Sequence, residues 1–220
     1  MRIILTGATG FVGGETLTQL LADERVNGVT CISRRPVGVD HPKLATIIHP
    51  DFTTWPRAQM KTLLMHDAAI WALGVKASDV SDPAEYERVT VKSTLAFASS
   101  MSDSLDHVFR FCYLSGMGAD PAETSTFPWQ KSTRHLKGRT ERGLADLADT
   151  GGNFRASAFR PGGILPTTAG WLLNAILAPI AVRVDQLSRA MIAEAIYDDI
   201  PAFRVISNAA IRAVSEDRSS

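Results

Sequence analysis

The sequence predicts a three-layer α/β fold with a doubly wound parallel sheet of six to seven strands and helices on both faces. Short apolar runs alternate with amphipathic segments along most of the chain, and loops rich in Gly, Pro, Ser and Thr separate several of them. This alternation implies parallel strands joined by right-handed crossovers. The run His107–Ser115 is almost continuously apolar, which is typical of a strand covered on both faces.

Seven apolar runs are predicted as strands, and the regular alternation weakens before the last of them. In chain order they are Arg2–Thr6, Val29–Ser33, Ala45–Ile48, Ala68–Leu73, His107–Ser115, Asn153–Arg160 and Ala202–Ile206.

Six segments are predicted as helices from apolar residues at helical spacing and from residues that start or end helices. They are Phe11–Asp23, Pro56–Met65, Ser81 to about Met101, Gln130–Asp149, Trp171–Val182 and Gln186–Tyr197. Ser81-Asp82-Pro83 marks a helix start, and Gly151-Gly152 marks a helix end. Gly116–Pro128 and Pro161–Gly170 are predicted as loops.

The composition favours one globular domain over residues 1–220, with a small substrate-side region from about 161 to 220. Of the 220 residues, 45% are hydrophobic, and the formal net charge of zero argues against a nucleic-acid partner. Cys31 and Cys112 lie inside apolar runs, which indicates core packing in a reducing compartment; we expect a cytoplasmic protein without a signal peptide. The apolar run Trp171–Val182 is too short to span a bilayer. We expect a monomer or homodimer, without a metal site.

The spacing of Gly7, Gly10 and Gly13 predicts a phosphate-binding turn between the first strand and the first helix. The first glycine allows a tight turn, the second lets the backbone approach a pyrophosphate, and the third lets helix and strand pack closely. The free N–H groups of the helix start attract the phosphates. The sequence therefore predicts a Rossmann-type dinucleotide site over Gly7, Thr9, Gly10, Phe11, Val12 and Gly13.

The end of the second strand favours NADP(H), with NAD(H) as the alternative. A carboxylate that binds the ribose 2′-OH usually stands there, but this strand ends in Ser33-Arg34-Arg35. A guanidinium group binds a 2′-phosphate through paired hydrogen bonds, so Arg34, and next Arg35, are the expected partners. Alternatively, both arginines form a solvated loop pair. Asp51-Phe52 and Leu73-Gly74 follow the next two strands and are expected at the adenosine.

The chain resembles the short-chain dehydrogenase/reductase superfamily, in its atypical, short NAD(P)-binding branch. The matching pieces are Thr6-Gly7-Ala8-Thr9-Gly10-Phe11-Val12-Gly13, Ser33-Arg34-Arg35, Asp51-Phe52, Leu73-Gly74, Leu114-Ser115-Gly116, Lys137-Gly138-Arg139-Thr140-Glu141 and Arg160-Pro161-Gly162-Gly163-Ile164. The resemblance implies that Ser115 orients a substrate carbonyl and that Lys137 holds the nicotinamide ribose. Pro161, Gly162 and Gly163 are expected to close over the nicotinamide with backbone groups.

Thr133 stands where the superfamily carries its catalytic tyrosine, four residues before Lys137. Threonine is too short and too weak an acid to replace that tyrosine as proton donor. Tyr113 and Tyr86 are candidates to reach the pocket from elsewhere, and His135 is expected to be a surface residue. Glu141, four residues after Lys137, leaves open that the two form a plain surface pair.

These observations favour an NADP(H)-dependent oxidoreductase of a small, delocalised acceptor such as a quinone, flavin or enone, which takes its proton from water. One alternative is a dinucleotide sensor or assembly protein without catalysis. An epimerase-like enzyme is a weaker alternative, because only 59 residues follow Arg160-Pro161. The substrate pocket is expected among Gly74–Asp82, Gly116–Trp129 and Gly163–Val182. An apolar wall is expected from Phe127, Trp129, Trp171 and Leu172.

Overall fold

The computed structural model describes residues 1–74, 82–125, 131–150, 152–197 and 199–216. Seven parallel strands form one sheet in the order β3-β2-β1-β4-β5-β6-β9, and a separate two-stranded parallel ribbon pairs β7 with β8. The strands are β1 Arg2–Thr6, β2 Gly28–Ser33, β3 Leu44–Ile48, β4 Ala68–Trp71, β5 Phe109–Leu114, β6 Phe154–Arg160, β7 Gly163–Leu165, β8 Ala181–Arg183 and β9 Phe203–Ser207. This strand order confirms the three-layer Rossmann fold.

The helices cover both faces of this sheet. They are α1 Phe11–Ala22, α2 Arg57–Leu63, α3 Pro83–Glu87, α4 Ser93–Ser102, α5 Lys131–Thr150, α6 Trp171–Leu177, α7 Val184–Ile196 and α8 Asn208–Glu216. One apolar cluster packs α1 and α7 against the sheet, and a second, rich in aromatic rings, packs α2, α4 and α5 against the other face. Within the described ranges no helix is long and apolar enough to cross a membrane.

The helix predicted from Ser81 to about Met101 is interrupted by a π-helical turn. Ser81 lies outside the described residues, whereas the Asp82 side chain accepts a hydrogen bond from the backbone N–H of Ala84 at 2.9 Å and caps α3. Residues Arg88–Lys92 then form the π-helical turn before α4 begins. Such turns are rare and frequently occur at functional sites.

The predicted helix Trp171–Val182 is wrong in its second half. Helix α6 ends at Leu177, and residues Ala181–Arg183 form β8. Pro179 lacks the N–H that would continue the helix. The predicted loop Pro161–Gly170 contains β7, whose Gly163 N–H donates to the carbonyl of Ile180 at 2.7 Å. This pairing is long-range in sequence, so no local pattern reveals it.

Helix α8 has no counterpart among the predictions, although its first residue ties the ribbon to the sheet. Asn208 is buried, accepts a hydrogen bond from the Gly162 N–H at 3.0 Å, and donates to the carbonyl of Ala178 at 3.0 Å. The Asn208 side chain therefore links the segment between β6 and β7 to the residues that precede β8.

Candidate functional site

The glycine loop is shaped by backbone contacts that leave no room for side chains. Gly7 adopts a φ of +73°, and a Cβ there would lie 2.3 Å from the carbonyl oxygen of Ala72 after β4. A Cβ at Gly13 would lie 2.1 Å from the carbonyl oxygen of Gly7, so α1 packs directly on the turn. These two positions accept only glycine, because the neighbouring atoms are backbone.

The N-terminus of α1 opens onto the same turn with free backbone donors. Gly10 caps the helix without a side-chain hydrogen bond, and first-turn amides have no intrahelical acceptor. Phe11 is exposed, whereas Val12 is buried and faces the core. A dinucleotide pyrophosphate fits this cradle, since close approach and amide donors are what it requires.

A cavity of about 400 Å³ extends from this loop to the end of β2. Its lining combines the loop with the ends of neighbouring strands: Gly7, Thr9, Gly10, Ile32, Ser33, Arg34, Arg35, Phe52, Ala72, Leu73 and Gly74. Both arginines are exposed to solvent, and no carboxylate is part of this lining. We call it the adenosine cavity, after the part of a dinucleotide that the sequence predicts at these strand ends.

Asp51 does not line the adenosine cavity. Its carboxylate accepts hydrogen bonds from the backbone N–H and hydroxyl of Thr53 at 3.0 and 2.6 Å, and from the hydroxyl of Thr54 at 3.2 Å. These bonds, with a smaller contribution from Arg88, hold the pKa of Asp51 below its usual range. Of the pair Asp51-Phe52 that the sequence predicts at the adenosine, only Phe52 lines the cavity.

A second cavity, of about 510 Å³, lies where β5 and β6 end. It is at the same edge of the sheet as the adenosine cavity, and β5 is two strands away from β1. Its lining comes from the β5 loop, α5 and the β7–β8 region: Ser115, Gly116, Met117, Ala119, Thr133, Arg134, Lys137, Pro161, Gly162, Gly163, Ile164, Leu165, Leu177, Ile180 and Ala181. We call it the lysine cavity. It brings together Ser115, Lys137 and the Pro-Gly-Gly segment that the sequence placed far apart.

Lys137 and Ser115 meet at the floor of the lysine cavity. The ammonium group of Lys137 donates to the backbone carbonyl of Ser115 at 2.6 Å. Burial lowers the pKa of Lys137 to about 8, and the charge of Glu141 opposes that shift. A lysine whose pKa is lowered inside a cavity is a candidate functional residue.

Glu141 is not a surface residue, although the sequence left open that it forms a surface pair with Lys137. It is fully buried, accepts a hydrogen bond from the Ser115 hydroxyl with an oxygen–oxygen distance of 2.5 Å, and forms a two-pronged ion pair with Arg160. Its spacing of four residues from Lys137 was the available signal, since such residues share a helix face. What the sequence lacked was the position of β6, which carries Arg160.

The structure places none of the alternative proton donors in the lysine cavity. Thr133 lines the cavity in the tyrosine position. Tyr113 is buried in the aromatic core, where desolvation raises the pKa of its phenol, and Tyr86 is buried as well. His135 is not the expected surface residue, because its side chain is only 17% exposed and lies 3.7 Å from the carboxylate of Asp120.

The Arg-Pro-Gly-Gly segment shapes the lysine cavity, but its backbone donors are already engaged. The Gly162 N–H donates to Asn208 and the Gly163 N–H donates to Ile180. The carbonyl of Pro161 accepts from the Met117 N–H at 2.7 Å. A Cβ at Gly162 would lie 2.0 Å from the Ile180 carbonyl oxygen. These glycines thus permit the β7–β8 pairing that forms one wall of the cavity.

Parts of the predicted substrate wall lie outside the described residues. Phe127 and Trp129 fall in an undescribed range, and of Trp171 and Leu172 only the backbone in α6 is described. The apolar wall that is described consists of Ile164, Leu165, Leu177 and Ile180.

Comparison with known proteins agrees with the glycine loop and the sheet. Residues 3–141 match the family described as the NAD dependent epimerase/dehydratase family. Leucinostatins biosynthesis cluster protein T of Purpureocillium lilacinum is 34% identical over 124 residues, which are 54% of this chain and 44% of that protein. The chain therefore spans less than half the length of this relative.

Two solved structures share the fold at low sequence identity. MoeE5 in complex with UDP-glucuronic acid and NAD is 18% identical with a TM-score of 0.71, over 94% of this chain and 76% of that one. The PhqB reductase domain from Penicillium fellutanum is 17% identical with a TM-score of 0.67, over 94% of this chain and 66% of that one.

Proposed function

The chain belongs to the NAD dependent epimerase/dehydratase family, and we propose that it is an NADP(H)-dependent oxidoreductase of a small, delocalised acceptor. The observation that carries the proposal is the pair of cavities along one edge of the sheet. One joins an amide-rich helix start to two arginines, and the other holds a lysine of lowered pKa. Ligands in doubly wound folds bind at this carboxyl edge of the strands.

The two ends of the cofactor bind in different cavities. The pyrophosphate binds at Gly7, Gly10 and the first turn of α1. Arg34 and Arg35 bind the 2′-phosphate at the adenosine end. Lys137 holds the nicotinamide ribose at the other end. When bound, the nicotinamide supplies the hydride, and the protein contributes binding and orientation.

The lysine cavity favours an acceptor that needs no acidic side chain of the protein. Thr133 stands in place of the superfamily's catalytic tyrosine, and the Ser115 hydroxyl already donates its hydrogen bond to Glu141. A simple carbonyl needs a proton at its oxygen as the hydride arrives. A quinone, flavin or enone spreads the negative charge and takes its proton from water, with the Lys137 ammonium nearby to stabilise that charge.

The proposal is tested by mixing the purified protein with NADPH or NADH and a panel of quinones, flavins, enones and aldehydes. We expect loss of absorbance at the wavelength of reduced nicotinamide with delocalised acceptors, faster with NADPH than with NADH. Aldehydes should react slowly. Turnover of aldehydes alone, or no binding of either dinucleotide, would contradict the proposal.

A dinucleotide sensor without catalysis is the second candidate. Two observations favour it: the Ser115 hydroxyl is engaged by Glu141, and position 133 carries a threonine, whose hydroxyl is a much weaker acid than a phenol. Tight binding of NADPH with no turnover across the panel would favour this function. Adding UDP-glucose and NAD to the panel tests the epimerase-like alternative, since a sugar nucleotide and NAD are bound by the structurally similar MoeE5.

A further inference from the structure

Arg88 lies beside the adenosine cavity on an element that the glycine motif does not predict. A small cavity of about 40 Å³ is lined by Arg34, Pro50, Phe52, Leu73, Gly74, Arg88, Val89 and Ser93. Four of these residues, Arg34, Phe52, Leu73 and Gly74, also line the adenosine cavity. The π-helical turn that begins at Arg88 thus places a third guanidinium group at the adenosine end.

The guanidinium group of Arg88 is held between two carboxylates. It donates to Glu85 through Nε at 2.6 Å and Nη2 at 2.8 Å, and its Nη1 lies 3.8 Å from Asp51. Hydrogen bonds from Arg88 lower the pKa of Glu85, and the charge of Arg34 adds to this effect. Arg34 therefore lies within electrostatic reach of a carboxylate that Arg88 already neutralises.

This charge balance matters for a dinucleotide with an additional phosphate. Without Arg88, Glu85 and Asp51 would place two uncompensated negative charges near the position of the 2′-phosphate, and Glu85 would compete for Arg34. A 2′-hydroxyl carries no charge and would be nearly indifferent to this change. Electrostatic effects of this kind are moderate at exposed sites, because solvent screens them.

We propose that Arg88 determines cofactor specificity by neutralising Glu85 and Asp51, which leaves Arg34 available to the 2′-phosphate of NADP(H). This inference rests on the proposed function, because it requires that the glycine loop binds a nicotinamide dinucleotide. It goes further by assigning the choice between the two dinucleotides to an ion pair on the π-helical turn.

The test is calorimetric titration of NADPH and NADH into the parent protein and the variants Arg88→Gln, Glu85→Gln/Arg88→Gln and Arg25→Gln at low ionic strength. Arg25 is the matched control, since it forms a similar two-pronged pair with Asp23 after the far end of α1. We expect Arg88→Gln to weaken NADPH binding roughly fivefold and NADH binding less than twofold. Raising the salt concentration should shrink the difference.

The double variant separates neutralisation from direct contact. Removing Glu85 together with Arg88 should restore most of the NADPH/NADH ratio, because Asp51 at 3.8 Å is then the remaining carboxylate that Arg88 no longer neutralises, while Arg25→Gln leaves the ratio unchanged. If Arg88→Gln does not alter the ratio, or if the double variant fails to restore it, the inference about Arg88 is overturned and the proposed function is not. A parent protein that binds neither dinucleotide overturns the proposed function and this inference together.

Discussion

The two cavities along the sheet edge are built by different means. The adenosine cavity depends on backbone geometry, since Gly7 and Gly13 touch backbone atoms and the helix start supplies its donors. The lysine cavity depends on side chains, because Glu141 joins Ser115 to Arg160 while Lys137 donates to the Ser115 carbonyl. The stability of the glycine loop should therefore depend mainly on side-chain size, and the stability of the Ser115–Glu141–Arg160 network mainly on charge.

The largest effect is expected from Glu141→Ala. Removing one partner of a buried ion pair leaves Arg160 and Ser115 without their acceptor, which costs about 3–5 kcal/mol of folding stability. Chemical denaturation measures this loss. Glu141→Gln keeps the shape and should cost less, and Arg139→Ala is the control, because Arg139 on the same helix forms only half-exposed ion pairs with Glu87 and Glu123. A loss below about 1 kcal/mol for Glu141→Ala would show that the lysine cavity does not depend on this carboxylate.

Lys137 should make stability depend on pH above neutrality. Its pKa is about 8 in the folded protein, below the ordinary value of 10.5, so the unfolded chain binds more protons between these values. Stability should therefore rise from pH 8 toward pH 10.5, by at most about 3 kcal/mol. The measurement is the difference between the parent protein and Lys137→Met at each pH. A difference that falls or stays flat would refute the lowered pKa.

Gly13→Ala tests the glycine loop, where the size of the side chain should matter. Its Cβ would lie 2.1 Å from the Gly7 carbonyl oxygen, so the helix or the loop must move. Overpacking of this kind costs about 1–3 kcal/mol, and we expect dinucleotide binding to be lost as well. Thermal unfolding and NADPH titration measure both.

Gly14→Ala is the matched control for this prediction. The nearest atom to its Cβ is the Ala8 carbonyl oxygen at 3.4 Å, and alanine favours the helix. Gly14→Ala should therefore keep or raise stability and retain binding. Equal behaviour of the two variants would remove the argument that backbone packing shapes the loop.

The smallest effect is expected from Thr133→Tyr, which adds a proton donor one helical turn before Lys137. Aldehyde reduction should rise about tenfold while quinone reduction stays unchanged, because only the simple carbonyl requires a protein acid. Rates with both acceptors give the ratio directly, and Thr133→Phe controls for the added ring. An equal gain for both variants would indicate packing rather than proton donation.

The sequence by itself determined the features that depend on neighbouring residues. The glycine spacing, the apolar strands and the helix start at Asp82 are local, because turns, caps and periodic patterns require only nearby residues. The Rossmann fold followed from their order along the chain. The absence of a carboxylate at the end of β2, where Ser33-Arg34-Arg35 stands, was also visible in the sequence, and its consequence for cofactor choice stays a prediction.

Only the tertiary structure decided the lysine cavity and the acid–base network around it. The β7–β8 pairing, the burial of Glu141 against Arg160 and the contact of His135 with Asp120 all join residues from different elements. A surface pair and a buried network have the same helical spacing, so the sequence could not separate them. Burial is a property of the packed chain, and it changes the pKa and the partners of a residue without changing its position in the sequence.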